Sequence, residues 1–441
     1  MATDPRATLD QEPMSAFQWG VVAIMIGLNA LDGFDVLSIS FASPGIARAW
    51  GIDRAALGLV LSMELVGMAA GSLVLGRLAD RVGRRATILG CLIVMAAGML
   101  GASSSHDVVT LSGWRLFTGL GIGGMLAATN AAVAEVSSAA RRHLCVVLMA
   151  GGYPVGTIIG GSISAVLLRS FDWPAVFQFG AAATLCFVPL VLWRSPESIA
   201  FLLQRRPADA LARINRTLAR MGHGAIDALP PIEAEAPALP LSALFSPRLR
   251  LLTLLLTIAY LAHIMTFYFI LKWIPKIVVD MGFAPSSAAG VLVWASVGGA
   301  AGSLLLGLLT ARVRLLTLTI GAMLLSTALV IAFGQGQNSL GTLSMVAAAA
   351  GFFTNAGVVG LYALLAQSFP TSLRATATGF VIGIGRGGSA LAPALAGLLF
   401  AEGFGLPVVA ILMALGSLIG AVALFGLRAG RLPVEDQNGR T

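Results

Sequence analysis

Long apolar stretches alternate with short polar ones along the whole chain. Runs of helical length fall at about 17–41, 55–76, 86–105, 109–134, 143–168 and 174–194. Six more follow at about 250–274, 286–310, 313–333, 339–368, 375–400 and 404–427. Each holds about 20 residues or more, which lets a helix cross a hydrocarbon core ~30 Å thick. The polar stretch between the two sets carries Arg205, Arg206, Arg213, Arg216 and Arg220, then a proline-rich segment from Pro230 to Pro240. It reads as a short amphipathic helix and a linker. The pattern predicts an all-α integral membrane protein with twelve transmembrane helices. They form two pseudo-symmetric six-helix halves, residues 1–194 and 249–441, joined by a cytoplasmic loop at 195–248.

Composition agrees with that reading. The 441 residues are 57% hydrophobic and 11% charged, against about 25% charged in soluble domains. The placement of the basic residues sets the orientation. Of the 28, 21 fall in the terminal segments, the central stretch and every second loop, and only four (Arg48, Arg54, Arg169 and Lys276) in the opposite loops. By the positive-inside rule both termini and the central loop are cytoplasmic. All but two of the basic residues are arginine, a bias of GC-rich bacterial genomes, and the expected location is a bacterial inner membrane. Trp19, Trp50, Trp114, Trp173, Trp193 and Trp273 lie at run ends, as an interfacial belt requires, whereas Trp294 falls inside the eighth run. Cys91, Cys145 and Cys186 occupy three separate runs and make neither a metal spacing nor a disulfide framework. The first run contains Asp32 and Asp35 and is too long for a cleaved signal peptide.

The halves repeat each other. The fourth run ends in Ala134-Glu135 with Arg142 beyond it, and the tenth in Ala366-Gln367 with Arg374 at the same distance. The loop after the second run reads Gly76-Arg77-Leu78-Ala79-Asp80-Arg81-Val82-Gly83-Arg84-Arg85, and a worn copy runs from Gly307 to Arg314. A six-plus-six repeat is the signature of transporters whose halves rock about a central site.

That loop resembles the signature of the major facilitator superfamily. Arg115 followed by Gly119 is similar to the superfamily's fourth-helix motif, and Pro196-Glu197-Ser198 and Pro370 with Arg374 to its half-end motifs. Within it, Asp32-Gly33-Phe34-Asp35 and the downstream Ala42-Ser43-Pro44 resemble the aromatic acid:proton symporter family, which takes up benzoate-type carboxylates. The sequence departs from the pattern at Glu64, where a small or apolar residue is expected, and at Ser138, where a proline usually stands. The resemblance implies the major facilitator fold and alternating access.

The first candidate site is Asp32 and Asp35. An acid in hydrocarbon points to function, although a buried ion pair holding two helices is the plainer alternative. Counted from a helix end near Phe41, Asp35 lies about 9 Å and Asp32 about 13 Å deep, and Arg115 about 9 Å below the same edge. An acid beside an arginine stays ionised; when the arginine turns to a substrate anion, the acid is left in a low-dielectric cavity and takes a proton. Proton coupling is therefore assigned to Asp32, Asp35 and Arg115, with Glu64 either a second proton site or a neutral core acid. Arg386, within Gly385-Arg386-Gly387-Gly388 near mid-depth, suits a carboxylate anchor, because a guanidinium binds a carboxylate with two hydrogen bonds. A structural partner for a carbonyl or for Glu64 is the alternative. His263, Tyr153, Tyr268, Tyr362, Trp294 and Asn355, with Tyr260, are candidates to line a cavity for an aromatic substrate. Lys272, near the end of the seventh run, is expected to snorkel. Gly76, Asp80, Gly83, Arg84, Arg85, Glu135 and Arg142 are expected to form a conformational latch between helix ends.

No phosphate loop, metal-ligand cluster or nucleophile–base motif is present. No catalytic residue, metal or cofactor is expected, and neither an enzyme nor an ATP-driven pump fits. Nothing points to nucleic acid. The expected partners are a small organic anion, protons and the bilayer, and the expected state is a monomer. The function expected is proton-coupled import of an aromatic carboxylate. The rivals are a symporter of another small acid (nicotinate or a muconate), a drug exporter, and a non-transporting sensor, which the short tail after the last run argues against.

Overall fold

The computed structural model describes residues 4–231, 240–337 and 339–429. A short helix, α1 (Pro5–Gln11), precedes α2 (Ala16–Trp50), α3 (Arg54–Val82), α4 (Arg84–Ser103), α5 (Val108–Val136), α6 (Ala139–Leu167) and α7 (Pro174–Arg194). The central stretch forms α8 (Ile199–Arg205), α9 (Ala210–Met221) and a 3-10 turn at Leu241–Phe245. Then come α10 (Arg250–Asp280), α11 (Pro285–Leu309), α12 (Leu315–Gly334), α13 (Leu340–Ser368), α14 (Thr371–Ala401) and α15 (Leu406–Ala429). Twelve of these, α2 to α7 and α10 to α15, are long and apolar enough to span a membrane, and they coincide with the twelve runs. The protein is a multi-pass membrane protein. Most of the proline-rich segment, residues 232–239, lies outside the described residues, as do Arg431, Arg440 and Thr441.

Several helices continue through prolines, and their neighbours explain how. Helix α2 runs nine residues past its expected end at Phe41, through Pro44. Pro44 has no N–H for the carbonyl of Ser40, and the Ser43 hydroxyl donates to that carbonyl instead, at 2.9 Å. Pro154 inside α6 likewise leaves the Ala150 carbonyl without its helical donor. The Asn29 amide of α2 donates there at 3.4 Å and to the Met149 carbonyl at 2.7 Å.

The chain divides into two compact units. The first comprises Met1–Ser38, Val66–Gly160 and Pro174–Glu235; the second comprises Ile39–Leu65, Gly161–Trp173 and Ala236–Thr441. The division does not follow the sequence halves, because the end of α2, the start of α3 and the end of α6 cluster with α10 to α15. In each unit a pair of helices crosses on small residues, the packing that brings backbones close in a membrane. In the first, Gly67 and Gly71 of α3 lie against the carbonyls of Leu116 and Leu120 of α5. In the second, Gly298 and Gly302 of α11 lie against those of Ala348 and Phe352 of α13. The repeat visible in the loops is thus also a repeat of helix crossings.

Candidate functional site

In the first unit Asp32, Asp35 and Arg115 are all buried. Gly33 makes this possible: a Cβ there would stand 2.2 Å from the carbonyl oxygen of Tyr153, so α2 meets α6 directly between the two acids. Arg115 of α5 sits at Asp35. Its guanidinium donates to the Asp35 main-chain oxygen at 3.0 Å and to Met99 Sδ of α4 at 3.4 Å, and it lies 5.4 Å from the centre of the Phe177 ring of α7. Asp35 itself points toward α7, where a Cβ on Gly180 would lie 3.4 Å from its Oδ1. Asp32 lies one turn deeper, 2% exposed, within electrostatic range of Asp35 and of Cys91 on α4. Neither carboxylate oxygen of Asp32 has a hydrogen-bond partner among the described residues. Arg115 meets α2 through the main chain of Asp35.

The loop-side charges of the same unit form a second cluster. Arg84 reaches Glu135 at 3.0 Å and Asp80 at 3.1 Å. Glu197 was not among the expected latch residues, yet it is the hub of the cluster. Its Oε1 accepts from the main-chain N–H groups of Arg84 at 2.8 Å, Arg85 at 3.2 Å and Ser198 at 3.0 Å. A carboxylate at the start of α4 satisfies N–H groups that the helix itself leaves open. Gly83 caps that helix with φ +106°, and a Cβ on it would stand 2.2 Å from Glu197 Oε2. Gly76 lies where a Cβ would make ordinary contact with Ala127 of α5. Arg85 donates its guanidinium to the Leu192 carbonyl at 2.6 Å. Arg142 joins Asp10 of α1 and the Ala134 carbonyl. The signal for Glu197 was the Pro196-Glu197-Ser198 motif, read only as a family mark.

In the second unit Arg386 of α14 is half-buried and within electrostatic range of Tyr260 and Tyr268 of α10. The Tyr260 hydroxyl lies 3.0 Å from that of Tyr362, which is 42% exposed. Of the glycines around Arg386, Gly385 and Gly388 bring α14 onto α10, since a Cβ on Gly385 would meet the Tyr260 ring at 2.1 Å. Gly383 and Gly387 face open space. His263 is fully buried between helices: Nδ1 lies 2.9 Å from Ser417 Oγ and Nε2 2.9 Å from the Thr354 carbonyl. Asn355 holds α13 to α11 through the Gly299 carbonyl at 2.8 Å and Ser303 Oγ at 2.7 Å. Trp294 is 55% exposed.

Two expectations are corrected here. Lys272 does not snorkel. It is wholly buried, and its Nζ lies 3.1 Å from Oε2 of an equally buried Glu64. Helix α10 continues to Asp280, so Lys272 is eight residues, about 12 Å, from its end and too deep to reach water. Trp273 is not interfacial; it is 1% exposed and donates from Nε1 to the Pro393 carbonyl at 3.2 Å. At the far end of the same helices Arg54 reaches Asp280 at 2.9 Å.

Twelve spanning helices carry a handful of buried charges among the described residues. The chain belongs to the Major Facilitator Superfamily, whose family model matches residues 25–343 and 257–440. It is 30% identical over 434 residues to a gallate transporter of Pseudomonas putida, covering 97% of this chain and 96% of that one. It is 30% identical over 405 residues to a 3-(3-hydroxy-phenyl)propionate transporter of Escherichia coli (strain K12), covering 92% and 93%. Among solved structures, that of a D-xylose-proton symporter has a TM-score of 0.72 at 16% identity, covering 95% of this chain and 98% of that one. It shares the fold.

Proposed function

We propose that the protein imports an aromatic carboxylate together with protons by alternating access. The observation that carries the reading is the cluster of Arg386 with Tyr260, Tyr268 and Tyr362. It offers a guanidinium for a carboxylate beside phenol rings that pack against, or hydrogen-bond to, a hydroxylated aromatic ring. Gallate and 3-(3-hydroxy-phenyl)propionate, the compounds named for the two relatives, share that chemistry. Asp32 is the proton carrier, and Asp35 with Arg115 is the charge pair that responds to the substrate anion. The arrangement of Glu197, Arg84, Asp80 and Glu135 biases the conformational equilibrium without binding substrate. The protein works as a monomer in a bacterial inner membrane, with both termini in the cytoplasm.

Uptake into proteoliposomes is the test. Labelled gallate and 3-(3-hydroxy-phenyl)propionate are offered with and without an inward proton gradient. Accumulation above the external concentration is expected only with the gradient. Gradient-independent equilibration, or uptake of nicotinate in preference to either compound, overturns the reading.

A further inference from the structure

The first unit holds a second group of cations, which shares Arg85 with the expected latch. Three arginines from three elements meet at the loop-side end of α7. Arg194 is the last residue of that helix, Arg85 belongs to the first turn of α4, and Arg220 to the last turn of α9. Arg194 and Arg220 stack on the same ring, with guanidinium carbons 5.1 Å and 4.3 Å from the centre of Phe17 on α2. Arg220 donates to the Trp193 carbonyl at 3.0 Å and Arg85 to the Leu192 carbonyl at 2.6 Å, so both caps close the end of α7. The guanidinium of Arg194 packs against α2, where a Cβ on Gly20 would lie 2.9 Å from its Nε.

Like charges this close are unfavourable unless something neutralises them. Partial desolvation, with Arg194 and Arg85 nearby, pushes Arg220 below the usual arginine value. Glu197, which accepts from the Arg85 main chain, has one oxygen committed to three main-chain N–H groups. The cluster is flanked by Trp193, which is 72% exposed at the end of a spanning helix. An exposed tryptophan there marks the headgroup level of a bilayer. Helix α9 adds an amphipathic surface at the same place: Ile214, Leu218 and Met221 are buried, while Arg216 and Arg220 face out. Basic pockets at the cytoplasmic ends of spanning helices suit phosphate headgroups.

We infer that Arg85, Arg194 and Arg220 form a binding site for a phosphate group, that of an anionic phospholipid at the cytoplasmic leaflet. Stacking on Phe17 holds two of the guanidiniums in place, and the headgroup anion neutralises the three of them together. The lipid then ties α9 and the start of α4 to the end of α7, beside the Glu197 cluster.

Native mass spectrometry of the detergent-purified protein tests this with phosphatidylglycerol, phosphatidylcholine and inorganic phosphate as probes. Phosphatidylglycerol is expected to bind more tightly than phosphatidylcholine. Arg220→Gln and Arg194→Gln should each weaken phosphatidylglycerol binding about fivefold. Arg194→Lys should retain most of it, and Arg312→Gln, in another loop, all of it. Lipid-free unfolding temperatures matching that of the natural protein show that the variants are folded. Undiminished phosphatidylglycerol binding in the Arg194→Gln, Arg220→Gln double variant overturns the site, and equal binding of the two lipids overturns its charge selectivity. Displacement of phosphatidylglycerol by millimolar inorganic phosphate reassigns the pocket to a free anion and overturns the lipid.

Discussion

The Lys272 ammonium lies 3.1 Å from the Glu64 carboxylate, and both side chains are wholly buried. The pair joins α3 to α10 inside the second unit. Desolvating two charges takes back much of what their attraction provides, but removing one partner leaves the other charge stranded. Lys272→Met is therefore expected to cost about 3–5 kcal/mol of stability. The double variant Glu64→Gln, Lys272→Met should recover most of the loss. Thermal unfolding in detergent measures both. A Lys272→Met protein as stable as its parent contradicts the account of this pair.

The helix start at Gly83 provides a second expectation. Gly83→Ala forces a side chain into a φ of +106° and onto Glu197 Oε2, a strain of about 1–3 kcal/mol. Glu197→Ala removes the acceptor of three main-chain N–H groups. Both changes act on one contact, so their effects should be sub-additive in a double-mutant cycle. Additive losses mean that the glycine and the acid act separately.

At Arg386 the expectation concerns geometry as well as charge. Arg386→Lys keeps the charge but loses the planar fork. It should weaken binding of an aromatic carboxylate by about 1.5–3 kcal/mol, the size of one charge-assisted contact. Arg386→Ala should abolish detectable binding. Isothermal titration with the folded variants decides it, and unchanged affinity in Arg386→Ala removes the residue from the site.

The twelve helices were legible because a bilayer imposes length and hydropathy on every span. Boundaries were less so. Ser43 and Asn29 satisfy the carbonyls that Pro44 and Pro154 leave open, and such rescues depend on a neighbour's side chain rather than on the local pattern. The placement of Arg115 followed from depth alone, but its choice of Asp35 over Asp32 depends on how α2 rotates against α5. Lys272 was misread because its helix was ended too early, at Ile274, although the helix continues through Pro275 to Asp280. Glu64 and Lys272 stand 208 residues apart, and nothing in either local pattern names the other. Glu197 was hidden for a similar reason: its role is to cap a helix more than a hundred residues away.

Asp32 is the most direct test of proton coupling. Its carboxylate is buried and its two oxygens lack hydrogen-bond donors among the described residues, so asparagine preserves its shape and removes only the titration. In proteoliposomes the Asp32→Asn protein should exchange labelled for unlabelled gallate, because exchange does not require the empty carrier to release a proton. It should fail to accumulate gallate when an inward proton gradient is imposed. The Asp35→Asn protein should be impaired in both, because Arg115 loses the charge partner proposed for it. Gradient-driven accumulation by Asp32→Asn at the natural protein's level contradicts the account.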